Sequence, residues 1–166
     1  ETLDRGIDLL QLHKEGDTWP AISVFGGINV SNSLAAIQHL VFDKKKYTMG
    51  ELIAALDANW VGHDIMRQEF INAPKYGNDV DFADGYAARF LTGLNDTVES
   101  VKDAWGNPMA LDGSTASGYT MFGLTAGATP DGRKMSASLA DGSQSPMTAT
   151  DTDGPTAVLN SVAKVP

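Results

Sequence analysis

Cysteine is absent from all 166 residues. Its absence excludes disulfides, thiolate metal ligands and a cysteine nucleophile within the chain, and it fits a cytoplasmic protein. Positive charge is scarce: 12 Lys and Arg stand against 21 Asp and Glu, giving a net charge of −9 and a pI near 4.6. Nucleic-acid binding rests on neutralising phosphates with Lys and Arg, so this balance argues against it. The basic run Lys44-Lys45-Lys46 is short, follows Asp43 and reads as a solvated loop. No apolar run approaches the roughly 20 residues of a membrane-spanning helix. The start, Glu1 to Leu10, lacks the basic-then-apolar pattern of a secretory leader. His13, His39 and His63 are the only histidines and show no paired ligand spacing, which argues against a metal centre. Nucleophile-elbow, P-loop and dinucleotide-binding glycine motifs are missing as well.

What is present is a soluble globular composition, 42% hydrophobic and 20% charged. Leu3, Ile7 and Leu10 recur at helical spacing and predict a helix over residues 2–13. Residues 18–30, broken by Pro20 and Gly26-Gly27, read as a short strand or extended loop, with Trp19 and Phe25 as core anchors or pocket walls. Ser31 or Asn32 is positioned to cap a helix whose apolar face is Leu34, Ile37, Leu40 and Val41. Thr48-Met49-Gly50-Glu51 matches a capping box and opens a helix running to about Trp60. A further helix runs from His63 to Asn72 and stops at Pro74. Phe82, Tyr86, Phe90 and Leu94 then mark a long helix continuing to Trp105, with a break at Gly93. Asp79, Asp81 and Asp84 match a calcium loop poorly and suit the acidic first turn of that helix.

The remainder, residues 106–166, reads as a strand-and-loop part following a mainly helical part over residues 1–105. Tyr119-Thr120-Met121-Phe122, bounded by Gly118 and Gly123, is a β-compatible run and predicts a strand. No partner strand for it is evident in the chain. Thr129-Pro130-Asp131-Gly132 predicts a tight turn, with Pro130 fixing the first corner and Gly132 taking a positive φ. Arg133 follows at once, and its preferred reading is a clamp on loop carbonyls or a carboxylate. Further turns fall at Asp141-Gly142 and Asp153-Gly154-Pro155, after which residues 155–165 begin a helix.

Five stretches taken together resemble the glycyl radical enzymes, the pyruvate formate-lyase family. In order they are Asn32-Ser33-Leu34-Ala35-Ala36-Ile37 with Leu40-Val41-Phe42-Asp43; Ala73-Pro74-Lys75-Tyr76-Gly77-Asn78-Asp79; Gly127-Ala128-Thr129-Pro130-Asp131-Gly132-Arg133; Leu139-Ala140-Asp141-Gly142; and Gly154-Pro155-Thr156-Ala157-Val158-Leu159-Asn160-Ser161-Val162-Ala163-Lys164. The resemblance implies an α/β fold, with this chain a single, mainly helical segment of a ten-stranded α/β barrel. It implies a protein glycyl radical, installed by an activating enzyme that uses S-adenosylmethionine and an iron–sulfur cluster, and a homodimer of the full-length protein. The reaction it implies is radical C–C or C–X bond chemistry on a small molecule in an anaerobic pathway.

Two departures bear on that reading. The family's thiyl radical needs a cysteine, and this chain has none. No arginine begins the Arg-Val-x-Gly-aromatic loop that carries the glycyl radical. The expectation is therefore a fragment lying between the two radical loops, with no cofactor bound and no catalytic residue of its own. A closed cavity protects a carbon radical from water. Thr120 and Phe122, or else Tyr119 and Met121, would face it from the predicted strand, with Trp19 as a further wall residue. Pro130, Asp131, Gly132 and Arg133 would form a structural loop beside it. Trp19, Phe25 and Phe122 favour an apolar substrate and hence a fumarate-adding aryl- or alkylsuccinate synthase. Alternatives within the family are a radical decarboxylase, a diol- or choline-type lyase and a formate C-acetyltransferase. An alternative of another class is a binding or scaffold module without the radical loops.

Overall fold

The computed structural model describes residues 4, 6, 20–103, 106–113, 117–142 and 144–165. The predicted helix over 2–13, apart from residues 4 and 6, lies outside the described residues, as do Trp19 and Trp105. Strand β1 (Ala21–Ser23) leads into helix α1 (Gly27–Ile37), which continues as a π-helical turn, Gln38–Asp43. Then come α2 (Met49–Asp57), α3 (Asp64–Asn72), α4 (Asp81–Ser100), β2 (Ala110–Asp112), α5 (Gly118–Thr125) and α6 (Pro155–Ala163).

The two strands pair in parallel, Ala21 with Ala110, Ile22 with Leu111 and Ser23 with Asp112. Parallel pairing needs a long crossover, and helices α1 to α4 supply it. The expectation of one unpartnered strand over Tyr119 to Phe122 is corrected twice here. The strands lie elsewhere and pair with each other, and Tyr119 to Phe122 is helical. Propensity favoured a strand, but packing decides: Gly118 lets the Phe25 ring approach, because a Cβ there would lie 2.7 Å from Phe25 Cε1. Gly123 abuts the backbone at Ala137, where a Cβ would meet the carbonyl oxygen at 2.5 Å. Helical winding puts Gly118 and Phe122 on one face, where both meet the Phe25 ring.

Helix α1 begins earlier than predicted, with Gly26 at its N-cap in the left-handed region (φ 76°). Ser31 and Asn32 are buried inside the helix rather than capping it. The Ser31 hydroxyl donates to the Gly27 carbonyl at 3.1 Å, and Asn32 Oδ1 accepts from the Tyr76 amide at 2.9 Å. The capping box of α2 forms as read: Thr48 Oγ1 accepts from the Glu51 amide, and Glu51 Oε2 accepts from the Thr48 amide at 2.7 Å. That helix stops at Asp57, because Asn59 and Trp60 turn left-handed (φ 51° and 64°). Helix α4 runs through Gly93 without a break and ends at Ser100.

Two apolar clusters result. The first joins the π-helical turn, α2 and α3 through Leu40, Leu52, Trp60, Met66 and Phe70. The second joins α1 and α4 to the later loops through Ile28, Tyr76, Ala87, Ala140 and Val165. Burying each large side chain contributes about 2 kcal/mol. The segment between α5 and α6 is short of such side chains, so polar groups must place it.

Candidate functional site

The turn after α5 is built as its sequence requires. The Gly132 amide donates to the Thr129 carbonyl at 3.1 Å, and the Thr129 amide donates to the Arg133 carbonyl at 3.0 Å. Gly132 sits at φ 95°, and a Cβ there would lie 2.4 Å from Ile71 Cγ1. Glycine is needed for both reasons. Asp131 is 1% exposed, and its carboxylate is fully engaged. Oδ2 accepts from Asn29 Nδ2 at 2.5 Å; Oδ1 accepts from Thr129 Oγ1 at 2.5 Å and from the Arg133 amide at 3.2 Å.

Arg133, 3% exposed, points back into its own loop. Nη1 donates to the Ala137 and Lys134 carbonyls at 2.7 and 3.1 Å, Nη2 to the Gly127 carbonyl, and Nε to Thr129 Oγ1 at 3.3 Å. Burial lowers its pKa from the ordinary value, and the Asp131 charge opposes that. With its donors committed to the loop, the guanidinium frames the loop and does not present a charge to a ligand. Its own carbonyl accepts from Trp60 Nε1 at 3.3 Å, which ties the turn to the end of α2.

Two buried residues with no role assigned from sequence complete this hub. Asn29, on α1, donates to Asp131 and to Met147 Sδ (3.0 Å) and accepts from the Ala140 amide at 2.6 Å, so one side chain positions three separate loops. Lys75, 5% exposed, donates to the Phe70 and Ala73 carbonyls at 2.6 and 3.0 Å at the end of α3. Burial pushes its pKa down to about 8, opposed by the Asp131 charge. No signal in the sequence marked Asn29, which falls in a stretch read as strand or loop; Lys75 stood within a recognised motif without a role.

The four predicted wall residues all lie on α5. Phe122 stacks on Phe25, ring centroids 4.9 Å apart, while Met121 and Thr120 face outward and Tyr119 is half-buried. The Tyr119 carbonyl accepts from the Leu139 amide at 3.2 Å, which joins α5 to the Gly-rich loop. The alternating in-and-out pattern of a strand does not apply. A cavity of about 280 Å³ opens nearby, at the carboxyl ends of β1 and β2, lined by Val24, Leu91, Asn95, Asp112, Gly113 and Gln144 among others. Ligands of parallel sheets bind at such strand ends. A larger, more open depression of about 530 Å³ lies between α2 and α3, lined by Tyr47, Glu51 and His63. It holds none of the predicted residues, and Glu51 is committed to the Thr48 cap.

The acidic triad has a different occupant from the calcium loop weighed above. The Lys164 ammonium lies 2.6 Å from Asp79 Oδ1, 2.7 Å from Asp81 Oδ1 and 2.9 Å from Asp84 Oδ2. These hydrogen bonds raise the Lys164 pKa, and the same lysine lowers that of Asp79. The triad is the only group among the described residues that gathers three metal-type ligands, and an ammonium sits at its centre. Asn78 anchors the adjoining loop: Nδ2 donates to the Thr150 carbonyl at 2.7 Å, and Oδ1 accepts from the Thr152 and Asp153 amides. Among the described residues no helix is long and apolar enough to cross a membrane.

Comparison with known proteins accounts for this framework. Trans-4-hydroxy-L-proline dehydratase of Clostridioides difficile is 37% identical over 137 residues, covering 82% of this chain and 17% of that protein. Isethionate sulfite-lyase of Bilophila wadsworthia is 38% identical over 149 residues, covering 87% of this chain and 17% of that protein. Among solved structures, a glycyl radical enzyme from Archaeoglobus fulgidus superposes with a TM-score of 0.85 at 31% identity, over 98% of this chain and 20% of that one. This chain thus spans about a fifth or less of the length of each. Residues 5–123 match the family described as pyruvate formate lyase-like. The buried hub, the parallel pair and the helices around them are the corresponding part of that α/β fold, and the chain belongs to the pyruvate formate lyase-like family.

Proposed function

We propose that this chain is a framework portion of a glycyl radical lyase that eliminates a polar group from a small molecule. The similarity to a dehydratase and a sulfite-lyase, at 37% and 38% identity across more than four-fifths of the chain, carries this reading. Both names denote elimination. The fumarate-adding reading favoured from the sequence rested on Trp19, Phe25 and Phe122 as an apolar pocket. Phe25 and Phe122 stack on one another, and with the relatives' names denoting elimination, elimination replaces it as the preferred chemistry. The diol- or choline-type lyase is itself an elimination, and the decarboxylase and formate C-acetyltransferase readings belong to the same family.

These residues supply no radical group, since there is no cysteine. Their part in the reaction is geometric: the Asp131–Asn29 hub and the Arg133 clamp hold the Gly-rich loop, and α5 packs against it. In this reading the full-length protein is a cytoplasmic homodimer whose glycyl radical is installed by an S-adenosylmethionine/iron–sulfur activating enzyme. In it, β1 and β2 join further strands of the ten-stranded barrel. Tyr119, Thr120, Met121 and Phe122 then lie near the substrate cavity, on a helix rather than a strand.

The test uses the full-length gene product, activated anaerobically and supplied with vicinal diols, hydroxylated amino acids and hydroxyalkyl sulfonates. A glycyl radical signal with release of water or sulfite is the expected result. A radical signal with turnover only on an arene or alkane plus fumarate would overturn elimination. Absence of both radical and turnover would leave the scaffold reading in its place.

A further inference from the structure

Three polar groups are sealed inside the joint between α1, α4 and the Tyr76 loop. Asn32 is 1% exposed, and Tyr76 and Asp84 are fully buried. Asn32 Nδ2, the Tyr76 hydroxyl and Asp84 Oδ1 have no hydrogen-bond partner among the described residues. Nearly all buried polar groups in native interiors are paired, because one left unmade bears the full loss of its hydration. Further chain in the full-length protein does not supply the partners. These atoms are already closed off by residues of this chain, so a group arriving from outside cannot touch them.

The three groups converge. Helices α1 and α4 run antiparallel. A Cβ on Gly27 would lie 3.5 and 3.4 Å from the Phe90 and Leu91 side chains, while His39, on the π-helical continuation of α1, faces Phe82 with ring centroids 6.2 Å apart. Tyr76 packs with Ile28 of α1 and Ala87 of α4. One turn further along α1 is Asn32, and one turn back along α4 is Asp84, so both lie on the same side of that contact. The Tyr76 amide donates to Asn32 Oδ1 at 2.9 Å, which fixes the side-chain amide and leaves Nδ2 as the free donor. Lys164 holds Asp84 Oδ2 at 2.9 Å. Burial, and then the Asp84 charge, push the Tyr76 hydroxyl up to about 12, so it keeps its proton and donates.

We propose that Asn32, Tyr76 and Asp84 form a closed binding site for one small neutral molecule that both accepts and donates hydrogen bonds, a single water. The donor set decides the class. Asn32 Nδ2 only donates, which disfavours a cation, and Lys164 already supplies the positive charge that Asp84 needs. The Asp84 carboxylate repels an anion. A water accepting from Asn32 Nδ2 and the Tyr76 hydroxyl, and donating to Asp84 Oδ1, pairs all three groups. Three partners is the usual number for an internal water. The water completes the shell that Lys164 begins around a buried carboxylate, and it ties α1, α4 and the Tyr76 loop together where direct contacts leave polar atoms unpaired.

The experiment joins a crystal structure of the full-length protein, at a resolution that shows ordered water, to urea unfolding of wild type and Tyr76→Phe. The expected structure has a density peak at hydrogen-bond distance, about 2.6–3.2 Å, from Asn32 Nδ2, the Tyr76 hydroxyl and Asp84 Oδ1. Tyr76→Phe is expected to lower the urea midpoint, raising the unfolding equilibrium constant about fivefold through one lost hydrogen bond. The sign of that change carries the test. In a dry site the hydroxyl is an unpaired burden, and deleting it raises the midpoint. A raised midpoint therefore overturns the site. So does a structure without the peak, including one in which the Tyr76 hydroxyl bonds Asp84 directly, where Tyr76→Phe would lower the midpoint as well. Should Tyr76→Phe fail to fold, the wild-type density decides alone.

Discussion

Lys75 gives the sharpest quantitative test of how this framework is held. Its ammonium is buried among the carbonyls at the end of α3, and burial lowers its pKa from 10.5 to about 8 against the pull of Asp131. The sign follows from proton counting. Below pH 8 both folded and unfolded chains carry the proton, and the folded state bears the full cost of burying the charge. Between pH 8 and 10.5 only the unfolded chain binds the proton, so stability rises with pH. Above 10.5 neither state binds it and the gain levels off. The gap between 10.5 and about 8 corresponds to about 3 kcal/mol. Lys75→Met serves as the reference: it loses the bonds to Phe70 and Ala73 at every pH, a constant offset, while all other titrations cancel. The wild-type minus Lys75→Met stability, from urea midpoints, should stay flat to pH 8 and climb by about 3 kcal/mol by pH 10.5. The lysine ¹³Cε signal missing from the variant should titrate near pH 8. A midpoint at the ordinary 10.5, or a flat difference curve, refutes the reasoning.

Further substitutions test other joints. Gly132→Ala adds left-handed strain to a clash with Ile71 and should cost about 2–5 kcal/mol in urea unfolding; Ile71→Ala should relieve the steric part, giving a non-additive double mutant. Asn29→Ala leaves Asp131 Oδ2 and the Ala140 amide with a lost partner and should cost about 3 kcal/mol by the same assay. Asn29→Asp should be worse than alanine at neutral pH and recover as the solution is acidified, since it sets a second carboxylate against Asp131. Thr48→Ala should cost about 1 kcal/mol and speed amide exchange only in the first turn of α2.

The sequence was most legible where the signal was local. Thr48 and Glu51 satisfy each other within four residues, so the cap of α2 needed no tertiary information. The same holds for Pro155 at the first turn of α6 and for the turn closed by Gly132. Reading failed where a distant residue decided. Tyr119 to Phe122 has strand propensity, but Phe25, more than ninety residues upstream, packs against Gly118 and Phe122 on one face of a helix there. Ser31 and Asn32 look like caps until Tyr76 claims Asn32 and the preceding turn claims Ser31. Lys164 shows the same limit at the site: three aspartates in the first turn of a helix gave no hint that their counter-ion arrives from some eighty residues downstream.

The loop segment from Ala126 to Gly154 contributes few apolar anchors, yet it is placed in detail. Asn29 fixes it at Asp131, Ala140 and Met147, Asn78 fixes it at Thr150 and Thr152, and Arg133 folds it on itself. Apolar packing tolerates small shifts, whereas buried hydrogen bonds are directional and costly to leave unmade. A loop held this way keeps its shape only while each bond is intact, so its geometry is set by side chains on α1 and on the loop ahead of α4. In the proposed radical lyase, this arrangement serves positional accuracy more than raw stability. It follows that damage at Asn29 or Asn78 should appear as lost activity before it appears as lost fold, and that α1 and the loop ahead of α4, which carry these side chains, are as much part of the site as the loop they hold.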